Sequence, residues 1–436
     1  MTQERVSWKT KIGTVFAFMA ATIGLGSLWR FPYKLGAFGG AAFLLIYLIL
    51  YLLIGISAYN GETLLGKYTK SGPAGAFRKA AMDVGASSKW RIVGDLTVIF
   101  GTLLNTQYLV VVGWTIVYFA LAISGIIFTT DSVFLNDLWS FVFPGIPSLI
   151  GLGLATAYCT ISIMKGIHKG IEKVNQILMP CLFILLILGV IRSLTLPSAF
   201  QGVVFLFHPE FEILGDPMVW IQALGQVYFT TALGIGFIIT YGSYMREDQK
   251  VTSNTYMVAI GDNLASILAG LAIFPAVFAF GLNPDSGARL AFIILPQVFA
   301  VMPLGRIFGI LFFLAFMIAA LEATKPAFEV AVSYLVEEYG INRKRAVPVV
   351  GGIQFIIGTL SAISLIIWDI FDWMWTLIPP LMGFLTMIFV GWIWKIERIG
   401  EKEGINKFWI YLLKYVAPAG IFIVLLNYLI SFLQVI

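Results

Sequence analysis

Charge is scarce in this chain: Asp, Glu, Lys and Arg make up 12% of 436 residues, against 59% hydrophobic ones. So few charges cannot cover a soluble domain of this length, which excludes an ordinary soluble protein and implies a polytopic helical membrane protein. Cysteine is nearly missing. Cys159 and Cys181 both lie in apolar runs, so neither a disulfide framework nor a cysteine metal cluster is expected. His168 and His208 fall in different loops without the partners of a triad or a metal site, and no enzyme is expected. Low-complexity tracts are lacking too, so residues 1–436 read as a single transmembrane domain. The net charge of +5 does not point to nucleic acid, because the excess Lys and Arg is confined to particular loops.

What is present is a series of long apolar runs. A span needs about 20 residues, and eleven runs qualify, at roughly 12–35, 41–66, 92–124, 146–164, 175–196, 218–241, 254–280, 306–336, 347–367, 373–394 and 408–433. The first run has no small-residue cleavage site after it and reads as a retained helix, not a signal peptide. Loop charge alternates. Lys9 and Lys11, Arg78 and Lys79, Lys165 and Lys169, Arg246, Arg343 and Lys402 mark one side, while Asp131, Asp137, Glu210, Glu212, Asp216 and Asp369 mark the other. Arg289 and Arg306 are exceptions. The basic side is cytoplasmic by the positive-inside rule, which places the N-terminus in the cytoplasm and, with eleven spans, the C-terminus outside a cell membrane. The polar segment at roughly 195–217 reads as an outer loop, and Pro284 to Ala291 as another that carries short helices.

Two runs are interrupted. Gly24 and Gly26 stand at the centre of Phe18 to Tyr33, and Gly234 and Gly236 stand inside Thr230 to Phe237. Either pair alone is also what close helix packing uses. Together they say more, because five spans begin with each break, so the broken spans enter the membrane from opposite sides. That is the pattern of a 5+5 inverted repeat, about 8–196 and about 217–396 with an extra helix at about 407–433, whose first and sixth helices unwind at the midplane around a binding site. It reads as a secondary transporter.

The residues also resemble a known family, the neurotransmitter:sodium symporters, and within it the prokaryotic amino-acid transporters. The resemblance rests on Gly24-Leu-Gly-Ser-Leu-Trp-Arg-Phe-Pro32, Glu62, Lys169-Gly-Ile-Glu-Lys173, Val219-Trp-Ile-Gln-Ala-Leu-Gly-Gln226, Phe229-Thr230, Ser243-Tyr244, Leu268-Ala-Gly-Leu-Ala-Ile-Phe-Pro275 and Arg343-Lys-Arg-Ala-Val347. These lie in the family's order over most of the chain. The family usually has twelve spans, and this chain reads as eleven.

The resemblance implies a substrate site on the backbone of Ala21, Thr22, Gly24 and Gly26 and around Thr230, walled by Leu25, Leu104, Tyr108, Phe229, Ala232, Ile235 and Ala323. Physical chemistry agrees with it, since half-helix N-termini favour a carboxylate and a Tyr hydroxyl adds a donor. In the family's monoamine carriers an aspartate takes the place of Gly24. A bare glycine here implies a substrate with its own carboxylate, and uncharged walls imply a neutral aliphatic or aromatic amino acid.

For ions, the resemblance implies a first sodium site of the Thr22 carbonyl, Ser27, Thr230 and Asp262, a shell of oxygens suited to a hard cation. Asp262 alternatively reaches water from a helix end. A second site would take the Ala20, Ile23 and Ala319 carbonyls with Glu322 and Ala323, but Lys325 follows Glu322 at i,i+3. A Glu–Lys pair there either removes the need for a second sodium or supplies a proton-carrying group, so proton coupling or exchange on the same fold stays open beside sodium symport. Both side chains also suit a polar seam between helices. Tyr47, Gln226, Thr230 and Ser266 fall on the family's chloride positions, yet Asp262 supplies a fixed negative charge and chloride is not expected to be required. The resemblance further implies an outer gate of Arg30 and Asp372 above Tyr108 and Phe229, and an inner one of Arg5 and Trp8 against Ser243, Tyr244 and Glu337.

Overall fold

A computed structural model describes residues 6–284 and 287–435, with the side chains of 287–288 and 427–435 left out of account. The described residues are helical throughout, with turns and short connections between the helices. Helices α1 (Lys11–Thr22) and α2 (Gly26–Ala37) are followed by α3 (Ala41–Thr69), α4 (Pro73–Asp83), α5 (Ser88–Ser124), α6 (Ser132–Val142), α7 (Ile146–Met164) and α8 (Ile167–Leu194). After α9 (Ala199–Phe207) come α10 (Pro217–Thr231), α11 (Phe237–Gly242), α12 (Val251–Ala279), α13 (Ile294–Val301), α14 (Gly305–Tyr339), α15 (Arg343–Ile363), α16 (Leu365–Ile393) and α17 (Lys407–Leu426).

Among the described residues nine helices are long and apolar enough to cross a membrane, and the pair α1–α2, bent by 50°, makes ten. The expected span 218–241 is divided between α10 and α11, each too short to cross alone. This is an all-α, multi-pass membrane protein. Its lipid-facing side is legible on α8, where Ile177, Ile184 and Ile191 repeat every seven residues and are exposed.

Both breaks have local causes. Helix α1 starts at an N-cap, where the Thr10 hydroxyl accepts from the Gly13 N–H at 2.9 Å, and ends where Ile23 leaves helical space at φ −80°, ψ 87°. After α10, Ala232, Gly234 and Gly236 take positive φ of 53°, 76° and 81°, which no helix tolerates. Gly234 is required there for a second reason: a β-carbon on it would fall on the Pro379 carbonyl of α16.

The long helices α5 and α14 pack on each other, with α7 and α15 against them. The segment at 195–217 is not the loop its polarity suggests. Ala199, Gly202 and Leu206 form a stripe at i, i+3 and i+7 that buries α9 against α12, a helix too short to register as a span. The connection after α3 likewise holds α4, buried through Phe77, Ala80 and Ala81. The tenth run starts earlier than expected, at Leu365, because Ser364 alone separates α15 from α16 and caps the latter by accepting from the Ile367 N–H.

Candidate functional site

The two breaks face one small cavity of about 20 Å³, room for little more than one water molecule. Ala21, Thr22, Gly24, Gly26, Tyr108, Phe229, Ala232, Ile235 and Ala323 line it, nine of the twelve residues named from sequence. Leu25, Leu104 and Thr230 do not. The side wall belongs instead to Asn105, with Phe237 and Trp375 completing the lining. Gly101, Leu104, Asn105 and Tyr108 recur at i, i+3, i+4 and i+7 on one face of α5, so periodicity alone does not separate Leu104 from Asn105; a β-carbon on Gly101 would fall on the Ile235 carbonyl of the second break. Leu104 is fully buried and does not line the cavity.

The first break is tied to α5 by one bond. The Leu25 N–H donates to the Tyr108 hydroxyl at 2.9 Å, which leaves the phenol its own proton to give. Gly24 lies directly beneath, so that a β-carbon on it would stand 2.6 Å from that hydroxyl and 2.5 Å from Ala323 Cβ. The second break is anchored by Glu62, fully buried on α3, which accepts from the Gly234 N–H at 2.8 Å.

Beside the breaks lies a cluster of oxygens. Ser27 Oγ is 2.7 Å from Asp262 Oδ1, 2.9 Å from Thr230 Oγ1 and 3.5 Å from the Thr22 carbonyl. Thr230 Oγ1 is 3.2 Å from Asp262 Oδ1, and Tyr51 donates to Asp262 Oδ2 at 3.0 Å. Asp262 is wholly buried and meets only hydroxyl donors, with no Lys or Arg against it among the described residues. A carboxylate at that depth calls for a cation, and the oxygens around it suit sodium as cargo. The nearby Tyr47 ring packs 5.7 Å from Tyr51, and its hydroxyl lies close to those of Thr230 and Ser266.

Ala319 and Ala323 of α14 face Gly24, and α14 packs against α1, which carries Ala20. Glu322 does not offer itself to the same place. Its Oε2 pairs with Lys325 Nζ at 2.6 Å, its Oε1 accepts from Tyr158 at 2.5 Å, and both charged side chains are fully buried. Lys325 also donates to the Gly170 carbonyl at 3.2 Å and lies 5.1 Å from the centre of the Tyr158 ring. The Glu322 carboxylate thus already has a cationic partner, which Asp262 lacks.

At the acid-rich end, Phe229 lies 6.3 Å from Tyr108 and 4.9 Å from Trp375, ring centre to ring centre. Arg30 sits 4.6 Å over Phe229 and donates to Gln226 at 3.2 Å. Arg30 and Asp372 form no ion pair among the described residues, because the guanidinium is drawn to the ring face and the Gln226 amide. At the basic end, Trp8 packs edge-on to Tyr241 and Tyr244 at 5.3 and 5.7 Å, and its indole donates to the Tyr241 carbonyl at 3.2 Å. Ser243 turns back to the Thr240 carbonyl, and Glu337 accepts from the Gly72 N–H at 2.9 Å. Arg5 lies outside the described residues. Tyr244 instead donates to Glu329 at 2.7 Å, and Arg343 grips the same carboxylate at 2.8 and 2.6 Å. Sequence reasoning missed Glu329, although an acid amid the apolar run of α14 was a usable signal.

The profile of the sodium:neurotransmitter symporter family matches residues 5–131 and 145–435. A relative from Bacillus subtilis (strain 168), the uncharacterized sodium-dependent transporter YhdH, is 34% identical over 446 residues, 98% of each chain. The rat sodium- and chloride-dependent GABA transporter 2 is 28% identical over 432 residues, 85% of this chain and 70% of its own. Among solved structures, MhsT in complex with L-phenylalanine superposes with a TM-score of 0.89 at 35% identity, covering 97% of this chain and 99% of that one.

Proposed function

This chain belongs to the sodium:neurotransmitter symporter family, and from that premise we propose that it is a secondary active transporter which couples uptake of a neutral amino acid to sodium by alternating access. The observation that carries the reading is the meeting of two interrupted helices at one closed cavity, with Tyr108 above Gly24 and no charged side chain in the lining. The substrate carboxylate takes the backbone N–H groups at the first break and the Tyr108 proton. Its side chain lies toward Ala232, Ile235 and Ala323. The bound L-phenylalanine of MhsT supports an amino acid with an aromatic or aliphatic side chain.

Sodium occupies the cluster of Thr22, Ser27, Thr230 and Asp262, one ion per cycle. Lys325 supplies the positive charge that a second ion would bring near Ala20, Ile23, Ala319, Glu322 and Ala323. Chloride is not required, because Asp262 holds the counter-charge. The two repeats, about 8–196 and about 217–396, rock about the site, and the basic end faces the cytoplasm of a cell membrane with the C-terminus outside. Arg30 with Phe229, Tyr108 and Asp372 closes the outer mouth. Trp8 with Tyr244, Ser243, Glu337 and Arg5 closes the inner one.

Uptake into proteoliposomes under an imposed sodium gradient, then under a pH gradient, tests the reading. Concentrative uptake that follows sodium is the expected result. The buried Glu322–Lys325 pair favours proton-coupled or exchange transport as the second reading, and uptake that follows pH and ignores sodium would establish it.

A further inference from the structure

Asn105 is a polar residue in a wall where hydrocarbon would pack as well. Its side chain is 2% exposed and lines the cavity beside Ile235, Ala323 and Trp375. Gln354 of α15, fully buried behind it, takes one end of the carboxamide: Asn105 Nδ2 donates to Gln354 Oε1 at 3.3 Å. The Asn105 oxygen accepts nothing among the described residues and is left to the cavity that Asn105 lines, whereas Gln354 Nε2 is buried without a partner. Turning both amides over exchanges donor and acceptor but changes nothing else: Gln354 uses one end of Asn105, and the other end remains on the cavity side. Two buried amides that share one hydrogen bond call for an explanation, since hydrocarbon at both positions would leave no unmet polar atom.

We propose that Asn105 selects among substrates by hydrogen-bonding a polar group on the amino acid's side chain. The inference rests on the cavity's being the amino-acid site, and it narrows the class to neutral amino acids whose side chains carry a hydroxyl, an amide or an indole N–H. A hydrocarbon side chain of equal size buries the free end of Asn105 without a partner, whereas a polar one satisfies it. One unmet buried hydrogen bond corresponds to a discrimination of about 10-fold or more.

The test is the thermal shift of the purified full-length protein in sodium, titrated with threonine against valine, glutamine against methionine and tyrosine against phenylalanine. In at least one pair the polar member should half-saturate the shift at about 10-fold lower concentration. Asn105→Leu should erase or invert that ratio while still responding to the apolar member, which shows that the variant folds and binds. Asn105→Ser should retain part of the preference. Equal or tighter binding of the apolar member in all three pairs overturns the inference and leaves amino-acid binding intact, as does an unchanged ratio in Asn105→Leu. No shift with any amino acid overturns the parent reading and this inference together.

Discussion

Lys325 Nζ and Glu322 Oε2 are 2.6 Å apart, one turn from each other on α14, and no part of either side chain reaches solvent. Removing one partner strands a charge in the core, at a cost of about 3–5 kcal/mol, whereas removing both does not. Lys325→Met should therefore lower the melting temperature of the purified protein sharply, and Glu322→Gln with Lys325→Met should regain most of the loss. A single variant as stable as the parent would show that the pair is dispensable.

Asp262 gathers Ser27, Thr230 and Tyr51 hydroxyls without a cationic side chain. If sodium completes the group, the ion at one hundred times its dissociation constant raises stability by about 2.7 kcal/mol. Asp262→Ala should lose this sodium-dependent stabilisation, measured against choline at equal ionic strength. A full sodium response in that variant would remove Asp262 from the ion site.

Gly24 has no room for a side chain, with Ala323 and the Tyr108 hydroxyl both within 2.6 Å of a β-carbon built there. Gly24→Asp should abolish amino-acid binding by adding a carboxylate where the substrate's own must sit, and Gly24→Ala should weaken it about 10-fold or more by displacing Tyr108. Equilibrium binding of a labelled amino acid measures both. Unchanged affinity in Gly24→Asp would refute the pose.

The Tyr47 and Ser266 hydroxyls lie near a carboxylate that already supplies a negative charge. Uptake driven by sodium should stay within about twofold when chloride is replaced by gluconate, since one counter-charge suffices beside the cation. A fall of tenfold or more would assign those hydroxyls to an anion.

The breaks and the charged cluster were legible because Gly24, Gly26, Gly234, Gly236, Asp262 and the Glu322–Lys325 pair are conspicuous inside apolar runs. What was illegible depended on rotation and distance. Leu104 and Asn105 differ by 100° about α5 and both lie within about 60° of Gly101, so periodicity does not tell which of them reaches the cavity. Trp375 stands far along the chain from the first break and Tyr51 far from Asp262, and both look like ordinary members of a sequence that is 15% aromatic. Arg30 and Asp372 are near enough to interact electrostatically without a direct ion pair among the described residues, since charge alone does not tell whether a guanidinium chooses a carboxylate or a ring face.

Gly234 rests against the peptide of Pro379, so the moving joint of the second broken span has a neighbour for a bearing surface. Widening the chamber for bulkier cargo by trimming Ile235 or Phe237 alone would leave that bearing in place. Room for a larger ligand therefore calls for a change in α16 as well as at the break.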